Sequence, residues 1–92
     1  MFQTLIKNQY EYIFLQILQK YKYMKHETLG KRIKDLRVDK KLTQEELSQE
    51  LNIDKSTIAK YETDKIAPSI PMLIVLAKFF EVSTDYLLGL ED

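Results

Sequence analysis

Residues 42–62 read LTQEELSQELNIDKSTIAKYE, two short helical patterns separated by a turn. Thr43 followed by Glu46 has the spacing of a capping box, in which the hydroxyl accepts from a backbone N–H and the carboxylate reaches back to the cap. This pair predicts that a helix begins at Gln44 and covers QEELSQEL. Asn52 follows that helix and tolerates the left-handed conformation that a sharp turn requires. The first half of the stretch is therefore a capped helix followed by a tight turn.

The second half of the stretch is a second short helix. Asp54 is a favourable N-cap residue, so we predict a helix from Lys55 to about Thr63. Ile58 and Tyr61 share one side of this helix and are expected to face inward. The charged and small polar positions then fall on the other side. They raise the question of whether this side is a binding surface or only a solvated one.

Three further helices are indicated by their capping residues. Thr28 can cap a helix over LGKRIKDLRVDKK, Ser69 a helix over IPMLIVLAKFF, and Ser83 a short helix TDYLL that Gly89 ends. MLIVLAKFF is apolar nearly all round, which is typical of a helix in the centre of a core. The chain from residue 28 onward therefore predicts five helices. The helix after Thr28 has an inward stripe of Leu29, Ile33, Leu36 and Val38.

The first 25 residues form a separate pattern. Apolar side chains recur at helical spacing and approximate a coiled-coil seam, so we predict a long amphipathic helix that must bury its stripe. Burial against a second copy or a protein partner is one alternative, and packing back on the same chain is another. A third is that the natural chain starts at Met24, because MKHETLGKRIK already begins a complete domain. The stripe contains Phe2, Ile6, Tyr10, Ile13, Ile17 and Met24, flanked by Phe14 and Tyr21.

Composition narrows the function classes. The 92 residues contain no cysteine and one histidine, His26, so disulfides and Cys/His zinc sites are excluded, and we expect no metal and no cofactor. The longest apolar runs are far too short for a membrane span or a signal peptide, so we expect a cytoplasmic protein that does not enter a membrane. No activated nucleophile or second histidine accompanies Glu45, Glu46 and Glu50, so we expect no enzyme activity.

The formal net charge is zero, but the charge is unevenly spread. Residues 29–67 carry nine Lys or Arg against eight Asp or Glu, whereas residues 68–92 carry one against four. A nucleic-acid site in this chain must therefore be a local basic surface, placed away from the acidic end.

In their order and spacing, residues 42–62 resemble the phage-repressor/Cro type of helix-turn-helix DNA-binding domain. The resemblance extends to KRIKDLR before them and to P-S-x-x-x-L-x-x-L-A-K-x-F-x-V-S-x-D-Y-L-L after them. The resemblance covers about residues 29–90. It implies an all-α, five-helix, lambda-repressor-like domain over residues 28–92, to which residues 1–27 add an N-terminal amphipathic helix. It also implies a transcriptional regulator, and we expect a repressor, that binds a palindromic double-stranded DNA operator as a homodimer. The alternative is an antitoxin-like or other protein-interaction module that uses residues 1–27 to bind a protein partner.

The resemblance also implies roles for individual residues. The helix from Lys55 matches the recognition helix of the family, and the start of the preceding helix and the loop after it match its phosphate contacts. The usual glycine of that loop is replaced here by Asp64, which would put a carboxylate near the DNA backbone. The implied base-reading residues are Lys55, Ser56, Lys60 and, at the margin, Thr57; the implied phosphate contacts are Thr43, Gln44 and Lys65.

Two further sets of residues are expected to hold the structure together, one within the domain and one between two copies. Arg37 and Glu62 match a family ion pair that joins the first domain helix to the end of the recognition helix. The family usually dimerises near its last helix, and we expect the N-terminal stripe to add to or replace those contacts. The expected dimer interface contains Ile6, Ile13, Phe14, Ile17, Tyr21, Tyr86, Leu88 and Leu90.

Overall fold

The computed structural model describes residues 8–23 and 27–91, and within these ranges the chain is all-α, with no strand. This confirms the predicted fold class. Each helix lies close to its predicted position. The helices are α1 (Gln9–Tyr23), α2 (Leu29–Asp39), α3 (Gln44–Leu51), α4 (Lys55–Glu62), α5 (Ile70–Phe80) and α6 (Thr84–Leu87).

The helix starts are determined by local capping. The hydroxyl of Thr28 accepts from the Lys31 backbone N–H, and those of Ser69 and Ser83 make the equivalent bond. At α3 the full capping box forms, since Glu46 N–H donates to Thr43 and Thr43 N–H donates to the Glu46 carboxylate. Each bond satisfies a backbone donor that the helix itself leaves without a partner. These four predicted caps are confirmed.

One fully buried side chain from each of the last five helices forms the centre of the core. Ile33, Leu47, Ile58, Leu76 and Leu87 have no exposed surface. They come from α2, α3, α4, α5 and α6 respectively, so no helix of this group can be removed without opening a cavity. The core thereby fixes α4 against both α2 and α3.

Two predictions about burial are wrong. Val38 is half-exposed, because it lies about 140° around α2 from Ile33 and so points away from the core. α5 is not surrounded by protein, although its sequence is apolar nearly all round. Its inner side packs on the core while Ile70, Ile74 and Val75 remain exposed, since a domain of this size has too few elements to cover both sides of the helix.

α1 confirms the predicted amphipathic helix over its described length; Phe2, Ile6 and Met24 lie outside the described residues. Six of its large apolar side chains are 47–75% exposed, with Leu18 at the low end and Tyr10 at the high end, whereas Leu15 is half-buried. Ile13, Phe14 and Ile17 fall between them. Of the helices in the described ranges, none is long and apolar enough to cross a membrane.

Candidate nucleic-acid interface

The turn between α3 and α4 is built around Asn52. Asn52 adopts the left-handed conformation, with φ 55° and ψ 45°, as its position predicted. The chain then turns tightly enough for the Ile53 N–H to donate to the Ser48 carbonyl at 3.0 Å. Ser48 is buried and its hydroxyl donates to the Glu45 carbonyl at 2.6 Å, so it adds no unsatisfied group where the two helices approach. This arrangement sets the angle between α3 and α4.

α4 has two different sides. Ile58, Tyr61 and Glu62 are buried, and they anchor the helix to the domain. At 100° per residue the three exposed polar side chains of the helix fall within an arc of about 140° on the opposite side. This outer surface consists of Lys55, Ser56 and Lys60, all exposed, with Thr57 half-buried outside the arc.

α4 starts at Lys55 after its N-cap Asp54, as predicted. Asp54 has the extended backbone of an N-cap, but its side chain makes no capping hydrogen bond. Its backbone carbonyl accepts from Thr57 N–H at 3.0 Å and from Ile58 N–H at 3.3 Å instead. The carboxylate is exposed beside Lys55. Asp54 is therefore the N-cap residue, as predicted, but its side chain makes no hydrogen bond to the helix.

Arg37 and Glu62 meet between α2 and the end of α4. The Arg37 Nε donates to Glu62 Oε2 at 2.6 Å and an Nη donates to Oε1 at 3.0 Å, a bidentate contact. The other Nη donates to the Leu42 carbonyl at 2.8 Å. The Glu62 carboxylate beside it raises the pKa of Arg37. The two side chains are only 11% and 3% exposed, so this ion pair is a buried connection.

Gln44, expected to contact phosphate, lies in the same network. Its Nε2 donates to Glu62 Oε1 at 3.1 Å, a contact that the sequence did not predict. An amide nitrogen carries two hydrogens, so this bond orients the group and uses only one of them. Thr43 uses its hydroxyl oxygen in the capping box, and Lys65 is exposed just after α4.

Asp64, expected to place a carboxylate near the DNA backbone, has an inward contact. Its φ is 60°, so it does adopt the left-handed conformation. Its Oδ1 accepts from the Gly30 N–H at 2.9 Å, where a carboxylate is favoured by the helix dipole of α2. A Cβ on Gly30 would lie 2.3 Å from the Tyr61 carbonyl. The sequence did not predict that Gly30 and Asp64 lie together, because they are 34 positions apart in the chain.

The expected dimer residues fall into two groups. On α6, the Tyr86 ring lies under the Arg32 guanidinium, 4.6 Å from its Cζ to the ring centroid, while Leu88 and Leu90 just after the helix are exposed. On α1, Ile13, Phe14 and Ile17 are exposed. Ile6 and the side chain of Tyr21 lie outside the described residues.

Comparison with known proteins identifies this helix pair. A family model described as "Helix-turn-helix" matches residues 33–87. The "Uncharacterized HTH-type transcriptional regulator YobD" of Bacillus subtilis is 41% identical over 61 residues, which cover 66% of this chain and 54% of that protein. The "HTH-type transcriptional regulator ImmR" of the same organism is 40% identical over 65 residues, covering 71% of this chain and 51% of the relative. The chain thus spans about half the length of these curated relatives.

A solved structure shares the fold. The crystal structure of the P22 c2 repressor protein in complex with a synthetic operator matches with a TM-score of 0.67 and 27% identity. The match covers 72% of this chain and all of that chain. The helices that surround the α3–α4 pair therefore follow a known arrangement.

Proposed function

Because this chain belongs to the helix-turn-helix family, we propose that it is a sequence-specific DNA-binding transcriptional regulator. It acts as a repressor, as a homodimer on a palindromic operator. The similar P22 c2 repressor was solved with operator DNA, and the relatives YobD and ImmR are transcriptional regulators by name.

The outer surface of α4 carries the proposal. Lys55, Ser56 and Lys60 are exposed on one arc of a helix whose opposite side is anchored by buried side chains. A lysine in the major groove donates to the O6 and N7 acceptors of guanine, and a serine hydroxyl bonds to several bases. Thr57, at the edge of this surface, would contact a base or the sugar beside it. An anchored helix with a short polar outer surface suits insertion into a groove.

Phosphate contacts on both sides of α4 would hold it in register. On one side, Gln44 lies in the first turn of α3, where backbone N–H groups and the helix dipole attract an anion. The amide already bonds to Glu62 at 3.1 Å, which leaves its second hydrogen for a phosphate. Thr43 precedes it at the same helix start. On the other side, Lys65 supplies an exposed cation after α4.

A dimer would place two copies of α4 in successive major grooves, about 34 Å apart. The exposed Leu88 and Leu90 after α6 supply apolar contacts of the kind that a twofold interface needs. The exposed stripe of α1, with Ile13, Phe14 and Ile17, adds a larger apolar surface. We propose that residues 1–27 contribute to dimerisation, and that residues 28–92 form the DNA-binding domain.

Titration of random-sequence duplex at several salt concentrations tests DNA binding. The association constant should fall with salt, with a log–log slope of about −2 or steeper if a dimer places Lys65 on phosphate in each half. Lys65→Gln should make the slope shallower by about 1 for each half-site. Lys34→Gln, on the exposed surface of α2, is the control and should leave the slope unchanged.

The exposed apolar stripe of α1 supports a second candidate, a protein-interaction module in which this helix occupies a groove of another protein. Such a module needs no phosphate contacts. Its duplex affinity would be negligible at every salt concentration, which is the result that would replace the DNA-binding proposal with this one.

A further inference from the structure

α5 has more apolar surface than its domain buries. Its exposed side is a continuous arc of about 140°, and within that arc Ile70, Ile74 and Val75 are 43–74% exposed. Pro71 completes the arc, and Lys78 is its only charged member. Ile66, in the loop before the helix, extends the same exposed apolar character. A group of neighbouring, exposed aliphatic side chains on a small domain indicates an interaction surface.

α1 presents the complementary feature. Tyr10, Ile13, Phe14, Ile17 and Leu18 are spaced at intervals of three and four residues, and they form one stripe along the helix. Within a single chain the stripe and the outer surface of α5 both remain exposed. A single copy therefore has two uncovered apolar surfaces, and each is a suitable partner for the other.

The combined area matches what a stable dimer requires. A standard interface takes roughly 800 Å² from each partner. The α1 stripe, the α5 surface and Ile66 together provide nine large apolar side chains, all at least 43% exposed. At roughly 80 Å² for each side chain, they supply about the required area from each chain.

We infer that α1 of one protomer packs on the exposed surface of α5 of a second protomer, and that the exchange is reciprocal. The inference rests on the homodimer proposed above and names the surface that receives α1. Two identical contacts related by a twofold axis close the dimer and cover both the α1 stripe and the α5 surface of each protomer. The alternative arrangement, in which two α1 helices pair with each other, would leave Ile70, Ile74 and Val75 in solvent.

Disulfide trapping tests the inference directly, because the chain has no cysteine of its own. Ile17→Cys and Ile74→Cys are made in separate full-length proteins, mixed, allowed to exchange subunits and oxidised gently. The expected product is a disulfide-linked dimer that joins the two different proteins, in at least tenfold excess over either self-linked dimer. Ile17→Cys mixed with Lys34→Cys, an exposed position on α2, is the control and should link weakly.

The possible products distinguish failure of this inference from failure of the proposed homodimer or of the proposed DNA binding. A dimer that links mainly Ile17→Cys to itself would overturn the inference and favour paired α1 helices. A full-length protein that carries both Ile17→Cys and Ile74→Cys is oxidised in parallel. A monomeric intrachain disulfide in it would place α1 on its own α5 and also overturn the inference. Protein that stays monomeric at every concentration would overturn the homodimer together with the inference, while duplex binding would still be measured separately.

A second pair of variants tests the surface without cysteine. Ile74→Glu with Val75→Glu changes two exposed side chains, so the domain should keep its helical circular dichroism. The dimer dissociation constant should rise at least tenfold by sedimentation equilibrium. Val38→Glu, an equally exposed valine on α2, is the control and should not change it. Equal dissociation constants for all three proteins would contradict the inference.

Discussion

Truncating Arg37 while leaving Glu62 in place should be more harmful than removing both. In Arg37→Met the side chain keeps its apolar stem and loses the guanidinium. Glu62, whose side chain is 3% exposed, then loses both hydrogen bonds from Arg37 and retains only Gln44 at 3.1 Å. The Leu42 carbonyl loses its 2.8 Å donor as well. A buried carboxylate remains without a counter-charge.

The magnitude follows from these lost contacts. Breaking a buried ion pair by removing one partner costs about 3–5 kcal/mol, and the bond that Gln44 keeps puts Arg37→Met near the lower end, about 3 kcal/mol. The double variant Arg37→Met with Glu62→Met replaces both charges by apolar groups. It should cost about 1 kcal/mol, because only the Leu42 carbonyl and the Gln44 amide lose partners.

Thermal and urea unfolding of the two single variants and the double variant provide the assay. For a domain of this length, 3 kcal/mol corresponds to a fall in Tm of about 12 to 24 °C, which is easily measured. The double variant should unfold at a higher temperature than Arg37→Met. Strictly additive changes in the free energy of unfolding would refute the reasoning, since they would mean that the two side chains do not interact.

Three other changes have defined outcomes. The Thr43 backbone N–H lowers the pKa of Glu46 from its usual 4.5. This carboxylate therefore stabilises the fold above that pH, and the contribution is lost as pH falls through the lower folded value. Glu46→Gln should lose less stability than the wild type in urea unfolding between pH 6 and pH 3, and equal losses in the two proteins would contradict the capping box. Gly30→Ala places a Cβ 2.3 Å from a carbonyl of α4 and should lower the free energy of unfolding by about 3 kcal/mol, and an unchanged Tm would contradict the close approach. Asn52→Gly should leave the free energy of unfolding within about 0.5 kcal/mol of the wild type. Asn52→Val should lower it by about 1–2 kcal/mol, because residue 52 has a φ of 55°. Equal urea midpoints for the two variants would contradict the left-handed turn.

Features set by neighbouring residues could be predicted from the sequence. The caps at Thr28, Thr43, Ser69 and Ser83 depend on a hydroxyl and a backbone N–H three residues away, and all four form. The left-handed turn at Asn52 depends on one residue type at one position. Asp54 shows the limit of such reasoning, because residue type fixed the start of α4 but not the conformation of the side chain.

Features that depend on distant residues could not be predicted from local pattern. Gly30 and Asp64 touch only after α2 and α4 have packed, so nothing within a few residues of either indicates the contact. The bond from Gln44 to Glu62 has the same origin, across 18 positions.

Apolar pattern alone did not show how much of α5 would be covered. Its sequence is apolar on both sides, and that is equally typical of a central helix and of a helix with a partner on its outer side. Only the number of helices packed around α5 distinguishes the two, and the structure leaves Ile70, Ile74 and Val75 exposed.

The most direct test of the central proposal, that the outer surface of α4 reads base sequence, is selection of bound duplexes from a random pool. The wild type, Lys60→Ala, Ser56→Ala and Gln44→Ala proteins are each used, and the preferred bases are compared position by position. Lys60→Ala and Ser56→Ala should relax the preference at one or two positions, by about 1–3 kcal/mol each, whereas Gln44→Ala should weaken all sequences similarly and keep the same preferences. Identical preferences for all four proteins, with only a uniform loss of affinity, would contradict the assignment of base reading to α4.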